Sequence, residues 1–342
     1  MTKERVVIPA SVLAWLLDPE NPSARYLALR DIVGASPSSA EVKRARAAIM
    51  TRGLVPKILA KQNPDGFWGR AEDFYIRSKY WGTVWTFLLL AALEADGSDS
   101  RIGRACEFIL RHSQDREGGG FAYQGTAAHG GRPSGVIPCL TGNMLWGLIR
   151  FGKLADPRVR HGLDWVVRYL RFDDGDTRPP DAWPYAKLDM CWGKHTCLLA
   201  VVKPLKALLE IPESRRTPAV RRTIRRAREF LLLHRLYQRS HHPGRPAKPK
   251  WLKLAFPLMW DTDAAELLSL TSAPGRPDPR LDDARRLVLS KRDDQGRWLL
   301  EEPCSGRTIV SLVRRGRPSR FVTLRALAAL KKSGCPFSAS GC

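Results

Sequence analysis

The stretch Asp189-Met190-Cys191-Trp192-Gly193-Lys194-His195 gathers a carboxylate, a thiol, an amine and an imidazole within seven residues. If it opens a helix, Cys191 and His195 stand at i and i+4 and share one face. With Cys139 reaching in from the preceding inner helix, thiolate, imidazole and carboxylate make a donor set that suits zinc with one position left open for catalysis. The plainer reading of the same thiols is that free cysteine packs as a small apolar group. Lys194, at the start of that helix, is placed to meet an anion such as a phosphate. A second stretch, Trp260-Asp261-Thr262-Asp263-Ala264-Ala265, sets two carboxylates at another helix start, where Asp261 would be an N-cap and Asp263 a first-turn partner of the helix dipole. Five tryptophans, Trp81, Trp85, Trp146, Trp192 and Trp260, fall in the first turns of apolar helices. Facing a cavity, such rings stabilise cations or line an apolar pocket; between helices, they are core.

The elements that must position these residues repeat. A cap followed by an amphipathic helix recurs at Asp99-Ser-Arg-Ile, Asp156-Pro-Arg-Val, Thr217-Pro-Ala-Val and Asp278-Pro-Arg-Leu. Asp or Thr before a first-turn proline is a helix-start signal. Three polar loops share a second pattern: Gln62-Asn-Pro-Asp-Gly66-Phe-Trp68, Gln114-Asp-Arg-Glu-Gly118-Gly-Gly-Phe121 and Arg292-Asp-Asp-Gln-Gly296-Arg-Trp298. The amide or guanidinium suits capping of helix ends, and the ring suits plugging of the gap between neighbours. A more apolar helix then begins at Trp81-Gly-Thr83, Cys139-Leu-Thr141, Trp260-Asp-Thr262 and Phe321-Val-Thr323, with Trp192 a less regular third copy. The chain therefore reads as all-α: five helical hairpins of about 60 residues, each with an inner apolar and an outer amphipathic helix. Closure into a ring is expected, because an open solenoid leaves the inner row wet.

The loop Gln62-xxx-Gly66-x-Trp68 resembles the QW motif of squalene and oxidosqualene cyclases. Over residues 50–335 the whole repeat resembles the terpenoid cyclase and protein prenyltransferase superfamily. That resemblance implies a single α/α toroid of five to six hairpins over 51–335, with helices of 1–50 packed on the ring and 336–342 as a tail. It also implies a central aromatic cavity mouthed by the inner-helix N-termini and lined by Trp81, Trp85, Trp146, Trp192, Lys194 and Trp260. Asp261 and Asp263 resemble the first and middle aspartates of the DXDD acid motif, with Ala264 in place of the last. Asp189-x-Cys191 resembles two of the three zinc ligands of prenyltransferase β subunits. No histidine occupies the later helix starts, so His195 or Cys139 is left to complete the set. The activity implied is that of a terpene cyclase or prenyltransferase acting on an isoprenoid; the rival is a non-catalytic toroid that holds a lipid or a protein.

Composition sets the limits. The 342 residues are 44% hydrophobic and 27% charged, which excludes a disordered or collagen-like chain. The longest apolar stretch, Val84 to Leu93 with only Thr86 polar within it, is too short to cross a bilayer. Seven cysteines and no signal-peptide core in the first residues lead us to expect reduced thiols and a cytoplasmic protein. The net charge of +23 is concentrated: residues 201–250 hold 14 Lys and Arg against 3 Asp and Glu. This segment suits solvated helix faces, an anionic membrane surface or a diphosphate. It lacks aromatic interleaving and any DNA or RNA motif, so nucleic acid is not the expected partner. The chain has no P-loop and no nucleophile elbow.

Overall fold

The computed structural model describes residues 5–273, 275 and 278–339. Strand β1 (Val6–Ile8) precedes α1 (Ala10–Leu16), α2 (Pro22–Leu27), α3 (Ala40–Ala48) and α4 (Leu54–Leu59), with a π-helical turn Ala28–Val33 continuing α2. Next come α5 (Thr83–Ala92), α6 (Ser100–His112), the antiparallel pair β2 (Gly125–Thr126) and β3 (Gly130–Gly131), α7 (Pro138–Arg150) and α8 (Pro157–Tyr169). The short α9 (Asp189–Trp192) is followed by α10 (Leu198–Glu210), α11 (Pro218–Leu233) and the hairpin of β4 (Gln238–Arg239) and β5 (His242–Pro246). The described chain ends with α12 (Ala264–Thr271), α13 (Asp282–Ser290), α14 (Arg320–Lys332) and β6 (Phe337–Ala339). It is mainly helical, and its strands form short pairs.

Helices α5, α7, α10, α12 and α14 carry most of the core; α5 is buried at every position from Thr83 to Ala91. Each packs on the next in that order, and α14 packs on α2 and the π turn. Arg30 of the π turn reaches Glu94, just past α5, at 2.9 Å. The N-terminal segment thus takes a place in the circle of contacts. The amphipathic α6, α8, α11 and α13 lie outside, each against its inner partner.

The repeats are held by recurring bonds. The caps Asp99, Asp156 and Asp278 accept from the backbone N–H two residues on, and the arginine side chain at that same position, Arg101, Arg158 or Arg280, folds back on the carboxylate. Gln62 donates to the Arg101 carbonyl at 2.9 Å, and Gln114 to the Arg158 carbonyl at 2.7 Å, so each loop amide closes the first turn of the next outer helix. Trp68 and Trp298 are buried, each donating its indole N–H to a carbonyl, of Ile58 and Val288 respectively. At the inner-helix starts, the hydroxyls of Thr83, Thr141, Thr196 and Thr323 accept the backbone N–H of Trp68, Phe121, Asp173 and Trp298 at 2.9–3.1 Å. In the α12 repeat the matching bond runs from the Ala255 N–H to Asp263, one residue beyond the aligned Thr262.

One element departs from the sequence expectation. Helix α9 stops at Gly193, whose backbone is extended, and α10 begins only at Leu198. Cys191 and His195 therefore do not share a helix face, and Lys194 does not open the inner helix. His195 instead forms a β-bridge with Asp174.

Candidate functional site

A cavity of about 420 Å³ lies where the inner helices converge, walled by residues of α2, the π turn, α5, α7, α10, α12 and α14. From α5, α7 and α10 it takes the C-terminal halves: Ala91, Ala92, Trp146, Arg150, Lys206, Leu209 and Glu210. The inner-helix N-termini, which the resemblance makes the mouth, border other openings: the start of α10 lines a cavity of about 580 Å³ and the start of α12 a cleft of about 60 Å³. Part of the wall is apolar: Leu27, Leu324 and the rings of Phe256 and Phe321, stacked at 4.2 Å.

The rest is a belt of charge. Glu266 is bound by Lys203 at 2.9 Å and Lys206 at 3.0 Å. Burial alone would raise its carboxyl, but the Lys203, Lys206 and Arg325 charges outweigh that and hold it well below the ordinary range. Burial pushes the Lys206 ammonium down to about 8, against the pull of Glu266. Its Nζ lies 3.7 Å above the centre of the Trp146 ring. Arg150 reaches Glu210 at 3.0 Å and also pairs with Glu94. An apolar wall beside Lys206 and Arg150 can take an amphipathic molecule with an anionic end.

The residues singled out from sequence do not converge on one place. Of the tryptophans, Trp146 lines the cavity. Trp85 is buried, stacked on Tyr75 at 4.8 Å and bonded to its carbonyl. Trp192 is buried between Trp165 and Tyr185, and Trp81 packs beside Gly69. Trp260 donates to the Tyr80 hydroxyl at 3.1 Å, with Lys79 and Lys250 over its ring. It shares a cleft of about 60 Å³ with Asp261, whose carboxylate accepts from Trp251 Nε1 and pairs with Lys250.

Asp263 is completely buried and caps α12. Oδ1 accepts from the Glu266 N–H at 2.8 Å and from Arg325 at 2.7 Å; Oδ2 accepts from the Ala255 N–H and from Arg325, both at 3.0 Å. Each oxygen already accepts two hydrogens. Asp263 thus caps α12 and anchors Arg325; the acid role that the resemblance implies would need a hydrogen on an oxygen that already accepts two.

Cys139 and Cys191 lie near one another and near Cys197, beneath Tyr75. Burial pushes the Cys139 thiol up to about 11 and Cys191 up to about 12. The side chain of Asp189 lies outside the described residues. Among those described, Cys139, Cys191 and His195 are not drawn into one ligand set; His195 stands with Asp174 and His241, beside Lys194, at a second cavity of about 580 Å³. Sequence reasoning missed Lys206, Glu266, Arg325 and Asp174. Lysine and glutamate within an apolar helix pattern, as in Leu198–Glu210 and Ala264–Thr271, were the available signal for Lys206 and Glu266.

No known protein family matches this sequence, and no curated protein matches it. Among solved structures, the chain is similar to a variant of the type II terpene cyclase MstE from Scytonema, solved with geranylgeranyl dihydroxybenzoate. Identity is 17%, covering 92% of this chain and 87% of that one, with a TM-score of 0.42. A protein from Actinoplanes is 14% identical, covering 84% of this chain and 99% of that one, with a TM-score of 0.33. No helix among the described residues is long and apolar enough to cross a membrane.

Proposed function

We propose that the chain is a single α/α toroid of the terpenoid cyclase-like kind and that it takes an amphipathic, isoprenoid-like molecule into its central cavity. One observation carries the reading: each inner helix contributes to one cavity that is apolar at Phe256, Phe321 and Leu324 and cationic at Lys206 and Arg150. The hydrocarbon would lie along the rings, and an anionic head would meet the Lys206 ammonium and the Arg150 guanidinium. Residue by residue, the binding role expected of the tryptophan set passes to Trp146, and the acid role expected of Asp263 is opposed by its bonds to Arg325.

That opposition favours a second reading of the same site, binding without protonation of the substrate. The two separate in one experiment. Purified chain is titrated with geranylgeranyl diphosphate and with geranylgeraniol, binding is followed by calorimetry, and the mixture is then extracted and analysed by mass spectrometry. Tighter binding of the diphosphate, weakened in Lys206→Met, supports the site. New products assign an enzyme; recovered starting material assigns a carrier. Failure of both ligands to bind overturns the proposal.

A further inference from the structure

Asp174, in the segment after α8, is met by three imidazoles from three other parts of the chain. Its Oδ1 lies 3.5 Å from His195 Nδ1 and 3.4 Å from His234 Nε2, and its Oδ2 lies 3.6 Å from His241 Nε2. The ligand atoms of Asp174, His195 and His241 all fall within 4.8 Å of one another. These contacts are longer than a good N–H···O bond of about 2.7–3.2 Å. In a tetrahedral zinc site with bonds near 2.0–2.2 Å, neighbouring ligand atoms stand roughly 3.3–3.6 Å apart. The Oδ1–His195 separation matches that edge, and the second oxygen of the carboxylate stands at a similar distance from His241.

The cluster is built by the fold. Asp174 and His195 are bridge partners, and the Gly175 N–H donates to the Lys194 carbonyl at 3.0 Å. Ser240 donates to Oδ1 at 2.9 Å from the β4–β5 turn. His241 Nε2 donates to the Asp174 carbonyl at 2.7 Å, the bond that a metal on that nitrogen would replace. Gly175 has φ +109, and a Cβ there would meet His195 Cε1 at 3.1 Å and His241 Nε2 at 3.5 Å. A side chain at this position would crowd the two rings, and glycine leaves them room.

His234, at the end of α11, stands against the same carboxylate. It is 6% exposed, and its Nδ1 lies 2.8 Å from the Phe230 carbonyl. A carbonyl only accepts, so Nδ1 carries the hydrogen, and Nε2 faces a carboxylate oxygen. That bond fixes the ring of His234 beside the Asp174 carboxylate, which it helps to position.

We propose that Asp174, His195 and His241 bind one zinc ion, with a fourth position open to the second cavity, where Lys194, Gln238, Arg239 and His242 stand. Two imidazoles and one carboxylate form a borderline donor set that suits zinc. This site is independent of the central cavity.

The test uses the full chain without an affinity tag, loaded with excess zinc, desalted and assayed for metal by mass spectrometry. We expect about one zinc per chain in the wild type and less than about a tenth of that in His195→Gln and in His241→Gln. Both histidines are exposed, so their circular dichroism and metal-free melting should stay unchanged. The cobalt-loaded chain should show ligand-field bands without a thiolate charge-transfer band. Wild-type chain that takes up no zinc overturns the proposal. So does zinc retained in both histidine variants, and so does a thiolate band or loss of zinc in Cys191→Ala, which would assign the metal to the cysteines.

Discussion

Arg325 of α14 holds both oxygens of the buried Asp263 at the start of α12, at 2.7 and 3.0 Å, and so fastens two neighbouring inner helices. Removing one partner leaves an uncompensated buried charge. Asp263→Asn should therefore lower unfolding free energy by about 3–5 kcal/mol, read from urea denaturation. The double variant Asp263→Asn with Arg325→Met should recover much of the loss. An unchanged melting temperature, with loss of turnover on an isoprenoid, would instead return Asp263 to the acid role that its sequence motif implies.

Gly142 of α7 sits against the backbone of α10. A Cβ there would come within 2.3 Å of Lys203 C and Pro204 N. Both are main-chain atoms that cannot swing aside. Gly142→Ala should cost about 1–3 kcal/mol or more, lowering the melting temperature, whereas Gly103→Ala, where the space is open, should not.

Lys206 gives the central cavity a pH dependence. Its folded-state value, near 8, is below the ordinary 10.5, so the folded chain releases this proton first. Binding of an anionic ligand should weaken as pH rises through about 8, and Lys206→Met should remove that step. Between about 8 and 10.5 the unfolded chain holds more protons here, so the Lys206 contribution to stability rises with pH across that window and is lost as pH falls back through it. Calorimetric titration at pH 7 and pH 9 reads the first effect, and denaturant midpoints across the window read the second.

Burial raises the thiols of Cys106 and Cys191 to about 12 and those of Cys139 and Cys304 to about 11. The thiolate is the reactive form, so in the folded chain at pH 8 these four should resist iodoacetamide and become labelled only in denaturant. Peptide mass spectrometry distinguishes them. Rapid native labelling of Cys139 or Cys191 would show that the site beneath Tyr75 is open to solvent.

The parts of the fold legible in the sequence were those written locally. A cap such as Asp99 or Asp156 finds its hydrogen bond within two residues, and the apolar run from Thr83 to Ala91 announces its own burial. The site was harder to read. Arg325 is 62 residues from Asp263, and Glu266 is 63 from Lys203, so no spacing rule joins them. The seven-residue stretch from Asp189 looked like one ligand-bearing helix; Gly193 breaks it, and the bridge to Asp174 carries His195 elsewhere. The tryptophans were read as cavity wall because composition does not tell a ring facing a void from one filling a gap.

The parallel pairing of Val6–Ile8 with Phe337–Ala339 lays the two ends of the described chain side by side. Tension applied to those ends would pull the strands in opposite directions along their common axis. The load would then fall on all of the pair's hydrogen bonds at once, in shear, before any helix of the circle felt it. A pair of three-residue strands thereby becomes the mechanical latch of the fold.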